Sequence, residues 1–132
     1  MIESTAQAIA AMNNPKLSEN ERSAATRYLR DNPSAEGNAA LVAALEDDDH
    51  GVRYAASSAL AYIGEPAMPA LLEALAKPDN DKVVRDGAHR VISENSSPRV
   101  REYCGDLLAA LKGPQAGIAS MQEAVRLMSV FR

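Results

Sequence analysis

The sequence is poor in three residue types: it has no tryptophan, one phenylalanine and one cysteine. The single thiol, Cys104, excludes an internal disulfide and is typical of a reducing compartment, so we expect a cytoplasmic protein. The segment that follows Met1 lacks the basic start and the apolar run of a secretion signal. No apolar run approaches the roughly 18 residues that a membrane-spanning helix needs, so we expect no membrane partner.

The apolar residues that are present are mostly small. Hydrophobic residues make up 46% of the chain and aromatic residues only 4%, whereas alanine alone supplies about a fifth. Because small side chains let helix axes approach to about 8 Å, this composition favours closely packed helices. The length of 132 residues suits one domain, 1–132, that folds without a disulfide or a structural metal.

A helical pattern recurs along the chain. Counted from Val52, three residues after Asp49, apolar residues lie at offsets of 0, 3, 4, 7, 8 and 11, which mark one face of an α-helix. These residues are Val52, Ala55, Ala56, Ala59, Leu60 and Ile63. The pattern is repeated 31 residues earlier, 32 residues later and again 16 residues after that. Each copy follows a residue that can cap a helix, so we predict repeats from about residues 18, 49, 81 and 97.

Second helices are predicted between these first helices. One has its apolar stripe at Leu71, Leu72 and Leu75, and an earlier equivalent spans about residues 36–46. Apolar stripes at the two ends predict an N-terminal cap helix over residues 2–13 and a C-terminal cap helix over residues 115–131. Units of helix, turn and helix with this period stack into a solenoid. The predicted fold is therefore all-α, an α-solenoid of about seven to eight helices.

The half-period step before Ser97 leaves no room for a second helix in the third unit. Two interpretations fit the spacing. Either the third unit has lost its second helix and residues 97–112 begin a fourth repeat, or residues 97–112 are the second helix of the third repeat. In both cases the short connection predicts a tight antiparallel pair with the preceding helix.

The segment from Asp49 to Leu75 resembles a HEAT repeat, in particular the short bacterial type named after phycobilisome lyases. The resemblance lies in Asp-x-x-Val-Arg, then Ala-Ala-x-x-Ala-Leu-x-x-Ile-Gly, then Pro-x-Leu-Leu-x-Ala-Leu. It implies a right-handed superhelix whose first helices form the convex side and whose second helices form the concave side. It also implies a protein that holds another macromolecule, which is the usual work of the family. Some members handle tetrapyrrole chromophores, and relatives act on alkylated DNA bases.

From this we expect a non-catalytic module that binds another protein, as a monomer or a weak homo-oligomer, without a cofactor. Its binding surface is predicted in the groove of second helices, where Glu73 and Lys77 point away from the apolar stripe. The alternative is a tetrapyrrole (bilin) lyase-related or chromophore-handling accessory protein, which rests on the resemblance alone. Nucleic acid is not an expected partner, because the net charge is -4 and tryptophan is absent.

Four arginines stand at equivalent repeat positions: Arg22, Arg53, Arg85 and Arg101. Stacked repeats would arrange them as a ladder for an anionic ligand, and Arg53 and Arg85 are therefore further binding candidates. The alternative, which we favour, is structural: each arginine bonds carboxylates or helix ends of its neighbours. Asp49 with Arg53 and Asp81 with Arg85 also have the spacing of helical ion pairs.

No catalytic or metal site is predicted. The acidic run from Glu46 to Asp49 lacks the spaced ligands of a calcium loop, so we interpret it as a solvated turn with a helix cap. His50 and His89 lie on different repeats without a second ligand at metal spacing. Cys104 aligns with interior alanines, which indicates an inert core thiol.

Gly87 lies inside a predicted helix, where glycine costs about 1 kcal/mol relative to alanine. We infer that a neighbouring helix comes very close at this point. The substitution Gly87→Leu should then lower the melting temperature by several degrees, measured by circular dichroism. An unchanged melting temperature would show that nothing packs against Gly87.

Overall fold

The computed structural model describes residues 2–132, and all the regular structure in this range is helical. It contains nine α-helices: α1 Thr5–Met12, α2 Glu19–Asp31, α3 Ala35–Ala43, α4 His50–Ile63, α5 Met68–Leu75, α6 Lys82–Ser93, α7 Pro98–Tyr103, α8 Gly105–Lys112 and α9 Ala116–Leu127. Short 3-10 turns follow α3 at Ala44–Glu46 and precede α5 at Glu65–Ala67. The predicted all-α solenoid is confirmed. The described helices exceed the expected seven to eight because the chain kinks at Cys104, which divides α7 from α8.

Serine and aspartate side chains begin most of the longer helices. The side chains of the four predicted capping residues, Ser18, Asp49, Asp81 and Ser97, each accept a hydrogen bond from an amide in the first turn. The side chain of Glu21 in turn accepts a bond from the amide of Ser18, which completes a capping box. These bonds satisfy amides that have no partner inside the helix, and they define where each repeat starts.

The helices pack in two rows. We call α2, α4 and α6, which pack in sequence against one another, the first-helix row; α3 and α5 pack together as the second-helix row, with α1 against α2 and α3. The rows enclose one continuous core of mainly alanine and leucine. Ala25, Ala56 and Ala88 are fully buried at equivalent positions, whereas the neighbouring Ala24 and Ala55, which the pattern also placed inside, are only half-buried.

The irregular third unit combines features of both interpretations of residues 97–112. By position, α8 packs against α6 and α9, while α9 packs against α5 in the second-helix row, as expected if α8 and α9 form a fourth repeat. By direction, α7 and α8 run opposite to α6, as expected if they are the second helix of the third repeat. The side chain of Arg99, at the start of α7, bonds the carbonyl oxygen of Val130 beyond the end of α9, and Asn80, just before α6, bonds the carbonyl oxygen of Gly117 at the start of α9. Thus α9 runs in the same direction as α6.

Gly87 of α6 faces the end of the second-helix row closely. A Cβ atom at this position would lie 3.0 Å from Cδ2 and 3.4 Å from Cβ of Leu45, which is itself buried. A leucine side chain here would therefore have to displace Leu45 from the core.

None of the helices in residues 2–132 combines the length and the apolar character required to cross a lipid bilayer.

The joint between the second and third units depends on Gly64. This residue ends α4 with φ +85° and ψ -134°, a conformation that side-chain-bearing residues rarely adopt. Its lack of a side chain admits Ser96, whose amide donates to the carbonyl oxygen of Ala61 and whose hydroxyl donates to that of Tyr62. Two carbonyl groups at the end of α4 thereby gain partners from the loop after α6.

We predict that Gly64→Ala destabilises the protein by about 2 kcal/mol or more, because it adds backbone strain and places a methyl group 2.6 Å from the Ser96 hydroxyl oxygen. Urea unfolding followed by circular dichroism measures this change. The matched control is Gly105→Ala, since no atom lies within 4 Å of the added methyl group there. Equal stability of the two variants would contradict the role assigned to Gly64.

Candidate functional site

The repeat-aligned arginines serve structure in three of the four repeats. Arg22 is buried; its Nε donates to the carbonyl oxygen of Met12 at 2.8 Å, and its guanidinium forms a salt bridge with Asp47. It therefore joins α1, α2 and the loop before α4. The buried guanidinium thus has a structural role at this junction.

Arg53 and Arg85 make equivalent bonds to the loops that precede their helices. Arg53 donates to the carbonyl oxygens of Asp47 at 2.7 Å and Asp48 at 3.2 Å, and Arg85 donates to the carbonyl oxygen of Asn80 at 2.8 Å. Arg101 is exposed at the fourth position. The structural interpretation of the arginines accounts for the first three positions.

The expected ion pairs within helices, Asp49 with Arg53 and Asp81 with Arg85, are wrong. Among the salt bridges of residues 2–132, neither pair occurs. Both carboxylates instead accept hydrogen bonds from first-turn amides of their own helices. The guanidinium groups turn back to carbonyl oxygens of the preceding loops.

Glu73 and Lys77 line a groove of about 220 Å³ between α3 and α5. The groove has a floor of small side chains: Ala39, Ala43, Ala70 and Ala74. Glu46 stands at its edge, where burial first and then the nearby Asp81 raise the pKa of its carboxyl group. The four predicted binding residues thus do not form one site, because Arg53 borders a groove of the first-helix row and Arg85 lies against Gly117 of α9.

Two larger grooves flank Tyr54 on the first-helix row. One, of about 660 Å³, lies between α2 and α4, and the other, of about 380 Å³, lies between α4 and α6. Tyr54 is 51% exposed and borders both grooves, and Tyr62, which borders the first, is 67% exposed. We call the surface formed by Tyr54, Tyr62 and these two grooves the tyrosine face.

An arginine from a neighbouring helix stacks on each tyrosine of this face. The guanidinium carbon of Arg90 lies 4.4 Å from the ring centre of Tyr54, and that of Arg30 lies 5.1 Å from the ring centre of Tyr62. Arg90 also pairs with Glu94, and Arg30 with Asp31. The cation–π contacts and ion pairs hold the aromatic rings in a defined orientation at the surface.

Basic side chains outnumber acidic ones around both grooves. The α2–α4 groove is lined by Arg27 and Arg30 against Glu19. The α4–α6 groove is lined by three basic side chains and two acidic ones: Arg53, Arg90, Lys112, Asp86 and Glu94. His89 also lines this groove, and burial, together with Lys112, lowers its pKa, so the imidazole is held in the neutral form.

The sequence analysis missed the tyrosine face. Tyr54 and Tyr62 lie eight residues apart on the outer side of α4, outside the repeated apolar positions. That spacing was a usable signal, because residues two turns apart on a helix share a side. The stacking of Arg30 and Arg90 on the rings depends on how adjacent helices pack and had no signal in the sequence.

The groups considered for metal binding or reactivity take structural positions. The Asp47 carboxylate receives bonds from Arg22 and from the amide of Asp49, while His50 Nδ1 lies 3.5 Å from Arg53. Within residues 2–132, no three histidine, cysteine or carboxylate side chains gather closely enough to hold a metal ion. Cys104 is fully buried, and burial raises the pKa of its thiol to about 11, which leaves little thiolate at neutral pH.

Comparison with known proteins identifies the repeats. The sequence profile of the family described as HEAT repeats matches residues 5–93, about two thirds of the chain. The chain therefore belongs to the HEAT repeat family. Neither a curated protein nor a solved structure matches it significantly.

We predict that Arg22→Met destabilises the protein by about 2 to 3 kcal/mol, because the carbonyl oxygen of Met12 and the half-buried Asp47 carboxylate lose their partner. The matched control is Arg101→Met at the equivalent, exposed position, which should change stability by less than about 0.5 kcal/mol. Chemical denaturation of both variants measures the difference. Similar losses in both would argue against a structural role specific to Arg22.

Proposed function

We propose that this HEAT-repeat chain is a non-catalytic module of one domain that binds another protein, and that the partner binds on the tyrosine face. One observation carries the proposal: two exposed tyrosines, each held by a stacked arginine, border neighbouring grooves. Tyrosine and arginine are enriched among the residues that contribute most to binding energy at protein interfaces. A pre-oriented ring also loses little conformational entropy when a partner covers it.

The charge around the grooves favours an acidic segment of the partner. Basic side chains outnumber acidic ones in both grooves, although the chain as a whole has a net charge of -4. Arg27 is exposed beside the rings of the α2–α4 groove. Carboxylates of a partner would approach Arg27 while an apolar side chain packs on Tyr54 or Tyr62. Because exposed charges are screened by salt, such binding weakens as ionic strength rises.

The groove of Glu73 and Lys77 remains the alternative binding surface. Its alanine floor would let a helix of a partner approach closely, and its charged edges would orient that helix. It is smaller than either groove of the tyrosine face and is bordered by two acidic side chains, Glu46 and Glu73, against one lysine. The partner that suits it would be basic, which distinguishes the two surfaces.

The finer resemblance, to phycobilisome-lyase-type repeats, supports a secondary proposal of tetrapyrrole handling in the cytoplasm. A bilin bound beside Tyr54 would use Arg27 and Arg30 for its two carboxylates. Absorbance of a bilin titrated with the protein tests this proposal. A red shift abolished by Arg27→Ala would support it, and an unchanged spectrum would overturn it.

The main proposal is tested with the immobilised chain and a lysate, followed by affinity measurement with the captured protein. We expect Tyr54→Ala to weaken binding at least tenfold, since truncation of a central aromatic residue typically costs about 2 kcal/mol. Tyr103→Ala is the matched control: Tyr103 is similarly exposed, and Arg99 stacks on it, but it lies outside the tyrosine face.

A partner retained by Tyr103→Ala and lost with Tyr54→Ala supports the tyrosine face. A partner lost with Lys77→Ala but not with Tyr54→Ala would transfer the binding site to the α3–α5 groove. Repeated recovery of no partner by the wild-type chain would overturn the binding function itself.

A further inference from the structure

The last helix, α9, has one buried side and one exposed apolar side. Ser120, Ala124 and Leu127 are buried where α9 packs on α5 and α8. The sequence analysis predicted this helix from an apolar stripe along one face. In the structure, half of that face is exposed: Ile118 and Val125 are each 55% exposed and Met128 is 41% exposed, with Met121 half-buried among them.

The three exposed residues and the half-buried Met121 have the spacing of a helix-pairing seam. We call Ile118, Met121, Val125 and Met128 the outer stripe. Successive members lie three, four and three residues apart, as do the a and d positions of a heptad repeat. Branched residues, Ile118 and Val125, occupy the a-type positions and the two methionines occupy the d-type positions. Such a stripe fits the side of another helix better than it fits an extended strand or a flat surface.

The edge of the outer stripe is polar but uncharged. Gln115, Gln122 and Ser129 are exposed at intervals of seven residues along one side. The two charged residues of α9, Glu123 and Arg126, are bonded to each other at 2.8 Å. A partner chosen by charge would find no unpaired charge on the edge to recognise, whereas an identical surface meets no like charge there.

We propose that the outer stripe binds the outer stripe of a second copy of this chain. Each copy supplies the apolar helix side that the other requires. The carboxamide of Gln122 both donates and accepts hydrogen bonds, so it can pair with its own equivalent across a twofold axis. The four side chains of the stripe would cover roughly 300 to 400 Å² per copy, about half of what a stable interface buries. The dimer is therefore weak, and association is expected only at high protein concentration.

Sedimentation equilibrium from about 10 μM to 1 mM tests the proposal. We expect the average mass of the wild-type chain to rise from 14.1 kDa towards twice that value. Val125→Glu should remain monomeric throughout, because like charges would meet in the apolar seam. The control, Ala10→Glu, alters an exposed residue on α1, outside both the outer stripe and the tyrosine face, and should associate like the wild type.

A second measurement locates the contact. Gln122→Cys should form a disulfide-linked dimer under mild oxidation, whereas Ala10→Cys should not; the natural Cys104 is buried and does not compete. A constant mass of 14.1 kDa for the wild type at every concentration would overturn the proposal. Equal association of the wild type and Val125→Glu would do the same. Neither outcome bears on the tyrosine face, which lies on other helices.

Discussion

The close approach of successive first helices is the constraint on which the rest of the structure depends. Ala25, Ala56 and Ala88 are fully buried at equivalent positions of α2, α4 and α6. Gly87 of α6 likewise allows a close approach between the two rows, because one added carbon would lie 3.0 Å from Leu45 in the turn after α3. Small side chains at these points keep the rows close, and this spacing brings Arg30 and Arg90 from neighbouring helices within reach of the rings on α4. The geometry of the candidate binding surface thus depends on how the helices pack in the core.

The repeat made the fold predictable from sequence, because buried positions recur with the period of the packing. The capping residues and interior alanines of the first helices could be placed for that reason. The kink at Cys104 could not, since the helical pattern of apolar residues continues through this position from Val100 to Leu111. The helical ion pair of Asp49 and Arg53 was wrong because Asp49 caps its own helix and Arg53 bonds the carbonyl oxygen of Asp47, contacts that the spacing of the charges does not reveal.

The candidate site was less predictable than the fold. Glu73 and Lys77 were placed in a common groove by their position on a second helix, and the structure brings them to the one between α3 and α5. Tyr54 and Tyr62 lie outside the repeated apolar positions, so the repeat did not identify them, although their spacing of eight residues places them on one side of α4. Their geometry depends on contacts between units, and only the packed structure supplies that.

Polar bonds also cross each boundary between adjacent units. Arg22 bonds Asp47, Asn38 donates to the carbonyl oxygen of Pro66, Ser96 bonds the end of α4, and Asn80 reaches the start of α9. In a solenoid, stability is a sum of terms within units and between neighbours. Because every boundary here has such a bond in addition to apolar contact, loss of one unit removes both polar and apolar interactions from the next. We therefore expect the units to unfold cooperatively, with partial unfolding from an end suppressed.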